Sequence, residues 1–245
     1  MIKSLFSTSI LAAIHLAAFL LQANGSVIPV FSSGTVETIN PKSSGPSAIN
    51  KVILNDPLEF SNLVATGVSS RCELHQNEIT YRLGSLSIAQ WKDNNNFFLN
   101  SGSAVVCSEK EFSLSISSRD SKAMFSGTGT LILEALENGG FKIIPLEVKG
   151  TITTSKGGKM PLIGGRMLLI LGNPTYYGDA YDIDLMLLLR SSMLINAFPS
   201  ALPTFDKIGL AIYVQELKLK GKYDALIGDS PTKGDLEIWR FGNAE

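Results

Sequence analysis

The stretch EFSLSISS, residues 111–118, puts Phe112, Leu114 and Ile116 on one flank and Ser113, Ser115 and Ser117 on the other. Only an extended chain, whose side chains alternate, turns that spacing into one buried side and one wet side. The same period of two runs through EITYRLGSLSIAQW, SGSAVVCSE, FSGTGTLILEAL and FKIIPLEVKGTITT, with turn chemistry such as KDNNN, SRDS and ENGG between the runs. TLILEALENGG, with its leucines and glycine stop, is the best helical rival, but the preceding SGTG and the β-branched content favour a strand. SGTGTL itself reads as a bulged strand, because it lacks the lysine of a phosphate-binding loop.

Beyond residue 160 the apolar runs become continuous, in PLIGGRMLLIL, IDLMLLLR and KIGLAIYVQ. Strands covered on both sides have this composition, so these segments are expected in the middle of sheets, with DLEIWRF pairing last. The tally of about twelve strands predicts an all-β fold, an antiparallel β-sandwich or β-barrel.

The N-terminus differs. Lys3 precedes an apolar run from Ile10 to Leu21, broken only by His15, and Ala23 and Gly25 then provide small residues before Ser26. This is the pattern of a signal peptide, residues 1–25, and the run is short for a membrane span of about 20 residues. No later stretch is expected to cross a membrane, since DLMLLLRSSMLINAF is interrupted by Arg190, Ser191, Ser192 and Asn196. Residues 26–50, with NPKSSGPSA, suggest an extended arm or linker. Residues 51–245 then make one β domain, with SKGGK near residue 157 as an alternative point of division and FPSALPTFD (198–206) as a second break. At 245 residues and 44% apolar composition the chain can build a substantial core.

Charge excludes one class of partner. Of 21 basic residues only Lys3 lies in the leader, which leaves 20 against 22 acidic ones. No long run of one sign occurs, so there is no electrostatic footprint for nucleic acid. Lys218, Lys220 and Lys222 alternate with Leu217 and Leu219, the spacing of a solvated strand face.

Two cysteines, Cys72 and Cys107, in an exported chain read as a disulfide, worth about 4 kcal/mol in the chain-entropy model. In RCELHQNEITYRL an extended backbone gives Cys72 and Leu74 the buried side, and Glu73 and His75 the exposed side. Two ligands are too few for a closed metal site, and no cofactor is implied. Once His15 is removed with the leader, His75 is the one histidine left as a catalytic base. There is no G-x-S-x-G, H-E-x-x-H, Walker or EF-hand pattern. The S-x-x-K match from Ser230 to Lys233 contains Pro231 and precedes Gly234, which favours a loop over the helical turn such a pair needs.

The densest chemistry lies in GNPTYYGDAYDID, residues 172–184. Candidate ligand-binding residues are Tyr176, Tyr177, Asp179, Tyr181, Asp182 and Asp184. Rings beside hydrogen-bonding carboxylates suit a sugar or another polar cyclic ligand, and oxygen ligands suit calcium. If a strand begins near Tyr181, Asp182 and Asp184 point one way and Tyr181, Ile183 and Leu185 the other. The same residues also suit turn caps, or cross-strand pairs with Arg166 or Arg190. The sequence thus points to an exported, extracytoplasmic, non-catalytic binding or structural module for a polar, sugar-like ligand. The alternatives are a secreted hydrolase using a carboxylate pair and a β-barrel carrier of an apolar ligand.

Overall fold

The computed structural model describes residues 26–45, 48–218, 223–225 and 239–241; the leader and the Ser230–Lys233 segment lie outside them. Fourteen strands form one sheet: β1 (Ile28–Ser33), β2 (Val36–Ile39), β3 (Ile49–Lys51), β4 (Leu63–Thr66), β5 (Arg71–Gln76), β6 (Ile79–Leu83), β7 (Ile88–Asp93), β8 (Asn96–Ser101), β9 (Ser103–Ser117), β10 (Lys122–Ala135), β11 (Phe141–Thr154), β12 (Gly158–Pro161), β13 (Arg166–Leu171) and β14 (Tyr176–Asp182). Helices α1 (Leu185–Ser191), α2 (Met193–Asn196) and α3 (Phe205–Lys218) follow, then a hairpin of β15 (Tyr223–Ala225) and β16 (Trp239–Phe241). Every pairing is antiparallel except β8 with β9.

The sheet closes on itself. β1 pairs β5, β5 pairs β6, and β6 pairs the first half of β9. The second half of β9 pairs β8, followed by β7, β4 and β2. Since β2 continues β1 through Gly34 and Thr35, the path returns to its start. The interior of this ring is filled, with Tyr81, Trp91 and Phe97 packed at centroid distances of 5.1 to 5.4 Å.

The long strands β9, β10 and β11 curl away from the ring. A straight 14-residue strand such as β10 would reach ~46 Å, yet the turns at its two ends touch, with Asp120 N–H donating to Gly139 O at 2.9 Å. Glycine permits the bend. Gly127 and Gly129 have φ of 150° and 120°, and a Cβ on either would sit 2.2 Å from a carbonyl oxygen of β11. Register slips between Gly127 and Gly129 against β9, so SGTGTL is the bulged strand its sequence suggests.

Curling gives the sheet two unlike faces. The inner face holds one apolar cluster that runs from Val27 and Val36 through Phe125 and Ile152 to Leu168 and Ile170, on both sides of residue 157. The outer face carries Val105, Cys107, Ile132, Ile144 and Met167 beneath α1, α2 and α3.

Four expectations are corrected. IDLMLLLR and KIGLAIYVQ are not central strands but lie largely within α1 and α3. Asp184 caps α1 with its Oδ1 on Leu187 N–H, and Leu and Met are good helix formers. Lys218 ends α3 instead of continuing a strand, while Lys220 and Lys222 lie outside the described residues. Residues 26–50 are not an arm, because β1, β2 and β3 belong to the sheet and only the loop after β2 keeps the exposed Ser/Gly/Pro character. Finally, Cys72 and Cys107 are both free and buried. Cys72 aligns with Leu83 and hence Ala104 on the inner face, whereas Cys107 aligns with Thr80 on the outer face. Two strand spacings and a sheet separate them, about 10 Å before the offset along the strands, beyond the reach of a disulfide.

Candidate functional site

β12 and β13 are two pieces of one path along β11, interrupted at residues 162–165. β12 pairs Thr151–Thr154, and β13 pairs Phe141–Ile143. Leu162 N–H donates to Gly150 O and Gly165 N–H to Pro145 O, so the interruption stays anchored to β11. Between these contacts β11 carries an irregularity, where its register against β10 shifts from Glu147 to Pro145. A groove of about 320 Å³ opens between β12 and the β13–β14 pair, lined by Met160, Pro161 and Ile163 on one side and Arg166, Leu168, Gly178 and Ala180 on the other.

Each wall has a local cause. Leu168 and Ala180 are directly opposed on β13 and β14, so their side chains share the inner face. β14 carries a bulge, because Leu168 faces Ala180 but Ile170 faces Tyr177, so Tyr177 and Ala180 lie on the same side despite odd spacing. Tyr177 reaches to the β11–β12 hairpin, its hydroxyl 2.8 Å from Ile152 O and 2.7 Å from Gly158 O. Burial raises the phenol pKa above its ordinary value. A Cβ at Gly157 would fall 2.4 Å from the Tyr177 ring, so glycine is needed there for the ring to close over the hairpin. Among the described residues that line the groove, Arg166 is the one that carries charge. Asp182 faces it across the strand pair, and among the described residues no carboxylate lies within ion-pair distance of the Arg166 guanidinium.

The six residues singled out in the sequence do not converge. Tyr177 is held by the β11–β12 hairpin and Asp182 opposes the groove residue Arg166, while Tyr181 opposes Met167 and packs on the helical side. Tyr176 and Asp179 are exposed. Asp184 lies beyond the strand and is committed to the α1 cap. The groove residues Met160, Ile163 and Leu168 carried no signal of their own, since an apolar run reads alike whether it lines a core or a groove, and Arg166 was legible only as a cross-strand neighbour of the aspartates.

A second cluster of reactive groups lies on the outer face. Cys107 Sγ is 3.2 Å from Thr130 Oγ1 and 3.4 Å from Thr204 Oγ1, beside the start of α3. Burial raises the thiol pKa, which keeps it protonated and a poor nucleophile. Glu147 nearby is also raised by burial, with Thr204 and Lys207 opposing. Nor is the Glu73 side solvated, as its alternation suggested: Glu73 is buried against Arg82, and His75 alone stays exposed. Among the described residues no group of three or more His, Cys, Asp or Glu could hold a metal ion, and no helix is long and apolar enough to cross a membrane.

No protein-family model matches the chain, and no curated protein does. Among solved structures it is similar to one described as a "putative anti-sigma factor" from Parabacteroides distasonis, at 8% identity and a TM-score of 0.40, over 74% of this chain and 99% of that one. A likeness at that level assigns no activity.

Proposed function

We propose that the protein is an exported, non-catalytic binding module that takes an apolar ligand, or the apolar portion of an amphiphile, into the groove between β12 and the β13–β14 pair. The observation that carries this reading is the lining, six of whose seven residues are uncharged and mostly apolar. Pro161 and Ile163 are exposed in this lining, and apolar surface of that kind costs free energy in water and gains it on contact with an apolar ligand. The volume, about 320 Å³, falls at the lower end of small-molecule sites. Export rests on the leader pattern of residues 1–25 and places the ligand outside the cytoplasm.

A carrier with its ligand inside the closed ring has less support, because the aromatic residues Tyr81, Trp91 and Phe97 fill that interior. A purely polar, sugar-like ligand has less support too, with Tyr177 engaged by two carbonyls and Asp184 by a helix cap.

The test uses N-phenyl-1-naphthylamine, a neutral apolar probe that fluoresces when desolvated. Ile163 is 55% exposed, so Ile163→Asp should leave melting unchanged while weakening probe binding by roughly tenfold. Ala180→Phe, which fills the groove, should act in the same direction. Unchanged probe affinity in both variants would remove the groove from consideration.

A further inference from the structure

We infer that the natural occupant of the groove is a single-chain amphiphile with an anionic head, held at Arg166; this rests on the apolar-ligand reading above. Three observations converge on that chemistry. First, the walls formed by Met160, Ile163, Leu168 and Ala180 offer nothing to a polar chain, while the volume, about 320 Å³, is at the lower end of small-molecule sites and suits one alkyl chain better than two. Second, Tyr177 ties β14 to the β11–β12 hairpin through its hydroxyl contacts with Ile152 O and Gly158 O, so its polar end is already satisfied and is not offered to a ligand. The Arg166 side is the one that presents charge. Third, Arg166 lines the groove whereas its cross-strand neighbour Asp182 is not among the lining residues, and no described carboxylate lies within ion-pair distance of the guanidinium. An unpaired guanidinium at the mouth of an apolar slot is complementary to a carboxylate or other oxyanion, which it can meet with two parallel hydrogen bonds. A neutral head would leave it hydrated, and a cationic head would be repelled.

The opposed Asp182 makes the inference quantitative. Among the described residues, β14 is the strand paired with β13 at that position, so Asp182 faces Arg166 there and its charge opposes an incoming anion. Its removal should therefore strengthen anion binding, and removal of Arg166 should weaken it.

Three twelve-carbon ligands separate the possibilities: dodecanoate, 1-dodecanol and dodecylammonium, each kept below its aggregation concentration and read by displacement of N-phenyl-1-naphthylamine from the full chain. Dodecanoate should bind tightest. Arg166→Gln should weaken it roughly three- to tenfold and Asp182→Asn should strengthen it, with 1-dodecanol indifferent to both changes. Both residues are exposed, so both variants should fold. If 1-dodecanol or dodecylammonium matches dodecanoate, or if Arg166→Gln leaves the ratio of acid to alcohol unchanged, the anionic head falls while the groove stands. If none of the three displaces the probe, the groove reading itself falls and takes the head group with it.

Discussion

Arg82 Nε donates to Glu73 Oε2 at 2.7 Å, between directly opposed residues of β5 and β6, with the arginine fully buried. The same guanidinium donates to the carbonyls of Leu194, Ile195 and Ser200, and lies 4.4 Å from the Phe198 ring. One side chain therefore fastens α2 and the link to α3 onto the outer face of the sheet, while His75 meets the other Glu73 oxygen at 3.2 Å.

Arg82→Met should accordingly cost about 3–5 kcal/mol in urea unfolding, because it strands Glu73 as a buried charge without its partner. The double variant Arg82→Met with Glu73→Leu should recover part of that loss. A single variant within about 1 kcal/mol of the parent would mean that the pair does not hold the helices.

The two thiols predict a pH dependence. Burial pushes Cys72 from 9.0 to about 12, with the Glu73 charge adding to the effect, and raises Cys107 as well. Burial also raises the Tyr81 phenol. In each case the folded state favours the protonated form, so this stability is complete below the unfolded thiol value near 9 and is lost as pH rises toward about 12. The urea midpoint should fall between pH 8 and pH 11, and less steeply in Cys72→Ala. A thiol reagent at pH 8 should find no reactive cysteine in the folded protein and two after unfolding. A denatured, unreduced chain with no free thiol would contradict the structure.

Two alanine substitutions of glycine should move in opposite directions. Gly127→Ala places a Cβ against Lys149 O at φ of 150° and should destabilise by more than about 2 kcal/mol. Gly209 lies in α3 with nothing within 4 Å of an added Cβ, so Gly209→Ala should stabilise by about 0.5–1 kcal/mol. Thermal melts of the pair test whether the bend at β10 depends on glycine.

Asp184→Ala should cost about 0.5–2 kcal/mol through loss of the α1 cap and leave binding of N-phenyl-1-naphthylamine as it was. Weakened probe binding at unchanged stability would return Asp184 to the ligand site.

Much of the sheet was legible because alternation is local. Leu114 and Ile116 are buried in the inner cluster and Phe112 packs against it, as EFSLSISS requires, although on the other flank Ser113 is exposed and Ser115 is buried. KDNNN makes the β7–β8 turn, with Asp93 Oδ1 accepting from Asn95 N–H at 2.8 Å. The helices were harder to see. In α3 the buried residues Ile208 and Ile212 sit four apart, but Leu210 and Tyr213 on the opposite face are also apolar, 64% and 57% exposed, and mask the period. In α1 the signal was the leucine and methionine content behind Asp184, without a β-branched residue.

Sequence alone determined which segments alternate, where they turn, and that Gly127 and Gly129 would break a regular strand, since each property depends on neighbours a few residues away. Tertiary structure decided the rest. It curled β10 until its ends met, set Cys72 and Cys107 on opposite faces, gave Glu73 to Arg82, and brought Met160 to within a groove's width of Ala180. Those outcomes depend on how far the sheet bends and which strands pair across it, and strand curvature sums over many residues that no short window of sequence contains.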